Sequence, residues 1–127
     1  MNTDKMPELV IGNITARKPI IQGGMGVGVS LARLASAVAN EGGIGVISSV
    51  GMSFLDSARG KRSSEGNMIA LREEIRKARK MTKGILGLNI MFAITEFEDI
   101  LKAAFEEEID IVFMGAGLPL QLPGELT

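Results

Sequence analysis

The feature that most constrains the fold is the stretch from Pro19 to Ser49, PIIQGGMGVGVSLARLASAVANEGGIGVISS. Pro19 to Gln22 is a short apolar run that predicts a strand. It stops at Gly23, Gly24, Gly26 and Gly28, which let a backbone turn sharply or lie against a ligand where a Cβ would collide. Ser30 is a good N-cap residue, and Leu31, Leu34, Ala35 and Val38 recur at helical spacing. One apolar helical face is therefore expected until Gly42 and Gly43. Ile44 to Ile47 then reads as a second buried strand. A strand, a crossover helix and a strand within about 30 residues make a βαβ unit, which binds ligands at the carboxyl end of its strands. The glycines lie at that end, so a flat or anionic ligand is expected beside Gly23 to Gly28.

A dinucleotide site is not the reading. Neither Gly24-x-Gly26 nor Gly26-x-Gly28 is followed by a third small residue at the required offset. The second strand also ends in Ser48 and Ser49, where a ribose-binding Asp or Glu would be needed.

Ahead of this unit, Leu9 to Ile11 and Ile14 to Ala16 flank Gly12-Asn13, which suits a two-residue type II′ hairpin covering the core. After it, Val50 to Gly66 is irregular and rich in glycine and serine. We read it as one short helical turn and a solvated linker at the ligand-binding end. Asn67 to Lys83 is expected to be a helix with Ile69 or Leu71, Ile75, Ala78 and Met81 inward. Its Glu73–Lys77 pair and Arg72, Arg76, Arg79 and Lys80 are expected on a solvated face. That basic cluster sits on the helix body, away from the amino-terminal end where anions are favoured.

Gly84 closes that helix and Ile85 to Met91 forms a third strand, in which Asn89 is the lone polar side chain. An amide in a buried strand needs partners, so Asn89 either caps a neighbouring loop or meets a ligand. Thr95 is expected to open a third helix through a capping box with Glu98. Phe97, Ile100, Leu101, Ala104 and Phe105 would face inward and Glu106, Glu107 and Glu108 outward. Asp110 to Met114 is a fourth strand, bent at Gly115-Ala116-Gly117.

Strands and helices therefore alternate. The expected fold class is α/β, with about four parallel strands and outer helices preceded by a short β-hairpin, all in one domain spanning residues 1–127. The 127 residues and 46% apolar content support one sizeable core. The net charge of −1 and the scattered basic residues leave no footprint for nucleic acid or an anionic membrane. Without cysteine or histidine there is no thiolate or imidazole nucleophile or base, and no zinc site of the usual kinds. The amino terminus lacks a signal-peptide pattern, and no apolar run reaches the length of a membrane span, so a cytoplasmic location is expected.

Four blocks in order, PIIQGGMGVGVS with LASAVANEGGIGVIS, then GLNIM at Gly87 to Met91 and MGAGLP at Met114 to Pro119, give the chain a family likeness. It resembles the amino-terminal half of the nitronate monooxygenases, formerly called 2-nitropropane dioxygenases, and the related FMN-dependent enoyl-acyl carrier protein reductases. The resemblance implies half of a TIM (β/α)8 barrel that binds FMN; a whole barrel needs roughly 250 residues. It places Gly24 and Gly26 backbone and the Met25 side chain against the flavin ring, and Asn89 in hydrogen-bond reach of it. Gln22 faces the barrel interior or packs in the core.

In the resembled family the FMN phosphate anchor and the catalytic histidine come from the carboxyl-terminal half, so no catalytic residue is expected in this chain. An unclosed half barrel leaves bare strand edges, and the eight methionines suit a covered apolar surface. The expected partners are a small-molecule substrate and a carboxyl-terminal half, as a separate chain or replaced by self-association. Three functions follow: oxidation of alkyl nitronates with O₂, reduction of an enoyl thioester, or a truncated, self-associating fragment without flavin.

Overall fold

In a computed structural model, residues 5–52, 64–118 and 120 are described. Strands β1 (Leu9–Ile11) and β2 (Ile14–Ala16) form an antiparallel hairpin, with Ile11 opposite Ile14 across Gly12-Asn13. Helix α1 (Ala32–Asn40), strand β3 (Ile44–Ser48), helix α2 (Ser64–Met81), strand β4 (Ile85–Met91), helix α3 (Phe97–Glu106) and strand β5 (Ile111–Gly115) follow. Strands β3, β4 and β5 lie side by side in that order and are parallel throughout, with Ser48, Asn89 and Phe113 in one row.

Period-two alternation sorts the strand side chains onto two faces. Ile47, Leu86, Leu88 and Ile90 enter the main core beneath the helices with Leu71, Ile75 and Ile100. Ile44 and Val46 point the other way, onto Ala16 and the partly buried Leu9, Ile11, Ile85, Ile111 and Phe113. The hairpin thus covers the inner face of the sheet, as its position ahead of the first βα unit suggested. Among the described residues no helix is long and apolar enough to cross a membrane.

The expected first strand contracts to one bridge, Ile21 to Ile44, fastened by Ile44 N–H to Ile20 O (2.9 Å) and Gln22 N–H to Ile44 O (3.1 Å). Beyond Gln22 the chain leaves the sheet, and the Gln22 side chain takes the next rung. Its Oε1 accepts Val46 N–H and its Nε2 donates to Val46 O, both at 3.1 Å.

Helix α1 buries a different face from the expected one. Ala32, Ala35, Ser36 and Ala39 point inward, while Leu34 is 42% exposed. The reason is close approach: a Cβ on Gly45 would stand 1.8 Å from Ala35 O, so the helix lies almost on the strand and only small residues fit between. The helix stops as expected. Gly42 takes φ +93°, and Gly42 N–H to Ala39 O with Gly43 N–H to Val38 O complete a Schellman turn.

Ser30 does not cap α1. The carboxylate of Glu74 on α2 accepts Ala32 N–H at 2.8 Å. Helix α2 starts at Ser64, ahead of the expected Asn67; Leu71, Ile75 and Ala78 are buried, and Ile69 and Met81 are not. Most of the expected linker, residues 53–63, lies outside the described residues, as does Pro119. The Thr95 capping box is absent: α3 has Glu96 as its N-cap and no side-chain cap bond. Phe97, Ile100, Leu101 and Ala104 are buried as expected, but Phe105 is 55% exposed.

The charged faces are paired, not merely solvated. Arg76 grips Glu107 with two nitrogens (2.6 and 2.9 Å), Arg72 bonds Glu106 and Glu107, and Arg79 bonds Asp110 at 2.7 Å. Three glutamates at the end of α3 oppose the helix dipole, and the arginines of α2 supply the compensating charge.

The glycine bend and the lone amide

The carboxyl ends of the strands carry the candidate site, and every residue assigned to it from the sequence is described. Gly23 to Val29 forms a loop over the end of β3, pinned by Ser30 N–H to Met25 O (2.9 Å) and by Val27 N–H to Val50 O (3.0 Å). Val27 takes φ +54°, a rare conformation for a β-branched residue, and lies directly against Gly51. Met25, Val27 and Val29 are each more than half exposed.

Gly24 and Asn89, 65 positions apart in the chain, meet here. A Cβ on Gly24 would lie 2.5 Å from Asn89 Cβ and 3.0 Å from its Cγ, closer than real contacts allow. Asn89 stands on the inner face of β4, half-buried. Its Nδ2 donates to Phe113 O at 3.4 Å, a long bond that leaves most of the amide's capacity unused. Among the described residues it caps no loop.

Gly26 packs on Val50, whose Cβ would be 3.0 Å from an added methyl. Among the described residues, neither Gly24 N–H nor Gly26 N–H has an acceptor, whereas Met25 N–H is held by Ser30 Oγ at 2.8 Å. The bend therefore offers two amides and one exposed thioether, beside one underused side-chain amide. A planar heterocycle with polar edges and an apolar end fits that set.

Two things escaped the sequence reading. Gln22 was read as facing the barrel interior or packing in the core, whereas its side chain bonds Val46 and Ser30; its position as the one polar residue between Ile21 and the glycines was the available signal. Ser30 looked like a helix cap, and only the contact from Glu74, far along the chain, shows otherwise. A separate cleft of about 170 Å³ lies among β3, α2 and α3, lined by Ser49, Asn67, Leu71 and Ile100. Among the described residues, the buried Ser49 Oγ and Asn67 Oδ1 atoms have no hydrogen-bond partner. None of Gly24, Met25, Gly26 or Asn89 lines that cleft.

Comparison with known proteins bears on the fold and the family. FabK from Thermotoga maritima has a similar structure, with 30% sequence identity and a TM-score of 0.65 over 85% of this chain. A methionine-to-alanine variant of that protein matches with 28% identity and a TM-score of 0.54 over 71% of the chain. The match covers 30% of the FabK chain, or 26% in the variant, so this chain spans less than a third of those proteins. No curated protein matches. The family model for nitronate monooxygenase matches residues 8–117, which is most of the chain. This α/β segment, with its parallel sheet and outer helices corresponding to part of a (β/α)8 barrel, belongs to the nitronate monooxygenase family.

Proposed function

We propose that these residues form one wall of an FMN site in an oxidoreductase that oxidises alkyl nitronates with O₂. The observation that carries the reading is the contact of Gly24 with Asn89 at the carboxyl end of the sheet, in a chain of this family. In it the Gly24 and Gly26 amides face the ring edge, Met25 covers its apolar part and the Asn89 amide bonds its polar part. When bound, the flavin supplies the two-electron chemistry, and the protein positions it and tunes it.

The residues of this chain bind and orient; they do not move the substrate proton. With no histidine present and no acidic side chain in the bend, the base and the phosphate anchor come from elsewhere. The carboxyl-terminal part of the barrel supplies them.

The absorbance spectrum of the purified chain tests this, recorded alone and after addition of a carboxyl-terminal half. Flavin bands and nitronate turnover are expected only in the assembled form. Flavin and turnover in the chain alone would show that it is self-sufficient. Turnover of an enoyl thioester in place of a nitronate would replace the substrate while leaving the flavin wall intact. Absence of flavin from both preparations would overturn the reading.

A further inference from the structure

We propose that Ser30, working with Gln22, is the positioning residue that fixes Gly24 for its ligand; this rests on the flavin reading above. Ser30 is 1% exposed and all its polar atoms are engaged. Its Oγ accepts Met25 N–H (2.8 Å), donates to Gly23 O (3.1 Å) and accepts Gln22 Nε2 (3.2 Å). Its N–H donates to Met25 O at 2.9 Å, and its carbonyl accepts Ser48 N–H from β3 at 2.9 Å.

The arrangement is specific to Gly24. Gly23 O belongs to the peptide before Gly24, and Met25 N–H to the peptide after it. One hydroxyl therefore holds both planes that flank this glycine, and with them both of its backbone torsions. Glycine has the most torsional freedom to lose, so an untethered bend would pay a large ordering entropy on binding.

Planarity of the trans peptide then sets direction. Where Gly23 O points at Ser30, Gly24 N–H points away from it; where Met25 N–H points at Ser30, Gly24 C=O points away. Gly24 is left presenting a donor and an acceptor on the side opposite Ser30. The edge of a flavin ring alternates acceptors and donors, and that pair is complementary to it. Gln22 extends the hub to the sheet, since the amide that bonds Ser30 also bonds both polar groups of Val46. The bend is thereby referenced to the strand beside the one that carries Asn89.

The test combines amide hydrogen exchange on the free chain with FMN affinity in whichever form takes up flavin. Ser30→Ala should speed exchange at Met25 about tenfold, the loss of one hydrogen bond, and weaken FMN about tenfold with a shifted flavin absorption band. Exchange across Leu86 to Ile90 should stay at the wild-type rate. Ser30→Thr, which keeps the hydroxyl, should recover both properties, and Gln22→Met should reproduce the defect in milder form. Acceleration at Met25 and in β4 alike would mark Ser30 as merely structural and overturn the proposal. Unchanged FMN affinity in a flavin-binding Ser30→Ala protein would overturn it while the flavin reading stands. If no form of the wild-type protein takes up FMN, the flavin reading itself fails, and the exchange data separately report whether the tether exists.

Discussion

Gly24 is where a single carbon has the largest consequence for the site. An added methyl would meet the root of the Asn89 side chain at 2.5 Å, an atom that cannot swing aside without moving β4. Gly24→Ala should cost about 1–3 kcal/mol by overpacking. It should also abolish flavin uptake, because the bend must lift off the amide. Thermal unfolding and flavin content measure the two effects, and full flavin content in the variant would refute the close fit. Asn89→Ala works in the opposite sense, opening space while removing a hydrogen-bonding amide. It should weaken FMN by about tenfold with little loss of stability, and unchanged affinity would exclude Asn89 from the flavin wall. Both positions were legible in the sequence, one as a glycine in a cluster after an apolar run, the other as a lone amide in a strand. Their contact was not, because local pattern carries no information about partners 65 positions apart. Ser30 was misread for the same reason, since the group that satisfies the first amide of α1 comes from Glu74.

At the scale of elements, the strands were legible and the helix faces less so. β4 occupies Ile85 to Met91 as expected, because an apolar run broken only by Asn89 and opening just after Gly84 has few other solutions. The face of α1 was misassigned because larger apolar residues normally mark the buried side. Here the close approach over Gly45 reverses that rule and puts alanine inside and Leu34 out. Gly45→Ala should therefore be far worse than an ordinary strand substitution. It drives a Cβ into the backbone of Ala35, and a loss of more than about 3 kcal/mol, or failure to fold, is expected in denaturant titration.

The α2–α3 ion pairs give a pH dependence. The bidentate bond from Arg76, assisted by Arg72, holds the Glu107 carboxyl below its usual value of 4.5 despite burial, which pushes the other way. A carboxyl with a depressed folded-state pKa contributes stability that is present above the unfolded value and disappears as pH falls through the folded one. The wild-type chain should lose stability below about pH 4.5, and Glu107→Gln should flatten that acid limb. At neutral pH the same variant should be less stable by about 1 kcal/mol, a modest figure because Arg76 is 62% exposed. An acid limb equally steep in wild type and variant would assign the effect to other carboxylates.

At the scale of the whole molecule, β5 is the element that sets what the chain needs. It pairs with β4 on one side only, all five of its residues are half-buried, and no described strand covers its other edge. Beside it, Phe105 is 55% exposed, and Leu101, Ala104, Ile109, Val112 and Met114 line an open apolar groove with it. A bare edge next to an apolar groove is what a barrel shows where its next strand and helix belong. The alternation of elements made the parallel sheet readable, but no sequence pattern says which chain covers that edge. If a carboxyl-terminal half docks there, the outward amides of β5 should exchange freely in the isolated chain and slow by about tenfold or more on assembly. Phe105→Lys should weaken assembly and flavin uptake together while leaving the free chain's thermal midpoint within a few degrees, since that ring is mostly outside the core. Flavin uptake on assembly without added protection at β5 would place the docking surface elsewhere, with the Ile20–Ile21 edge, whose side chains are 45% and 44% exposed, the next place to look.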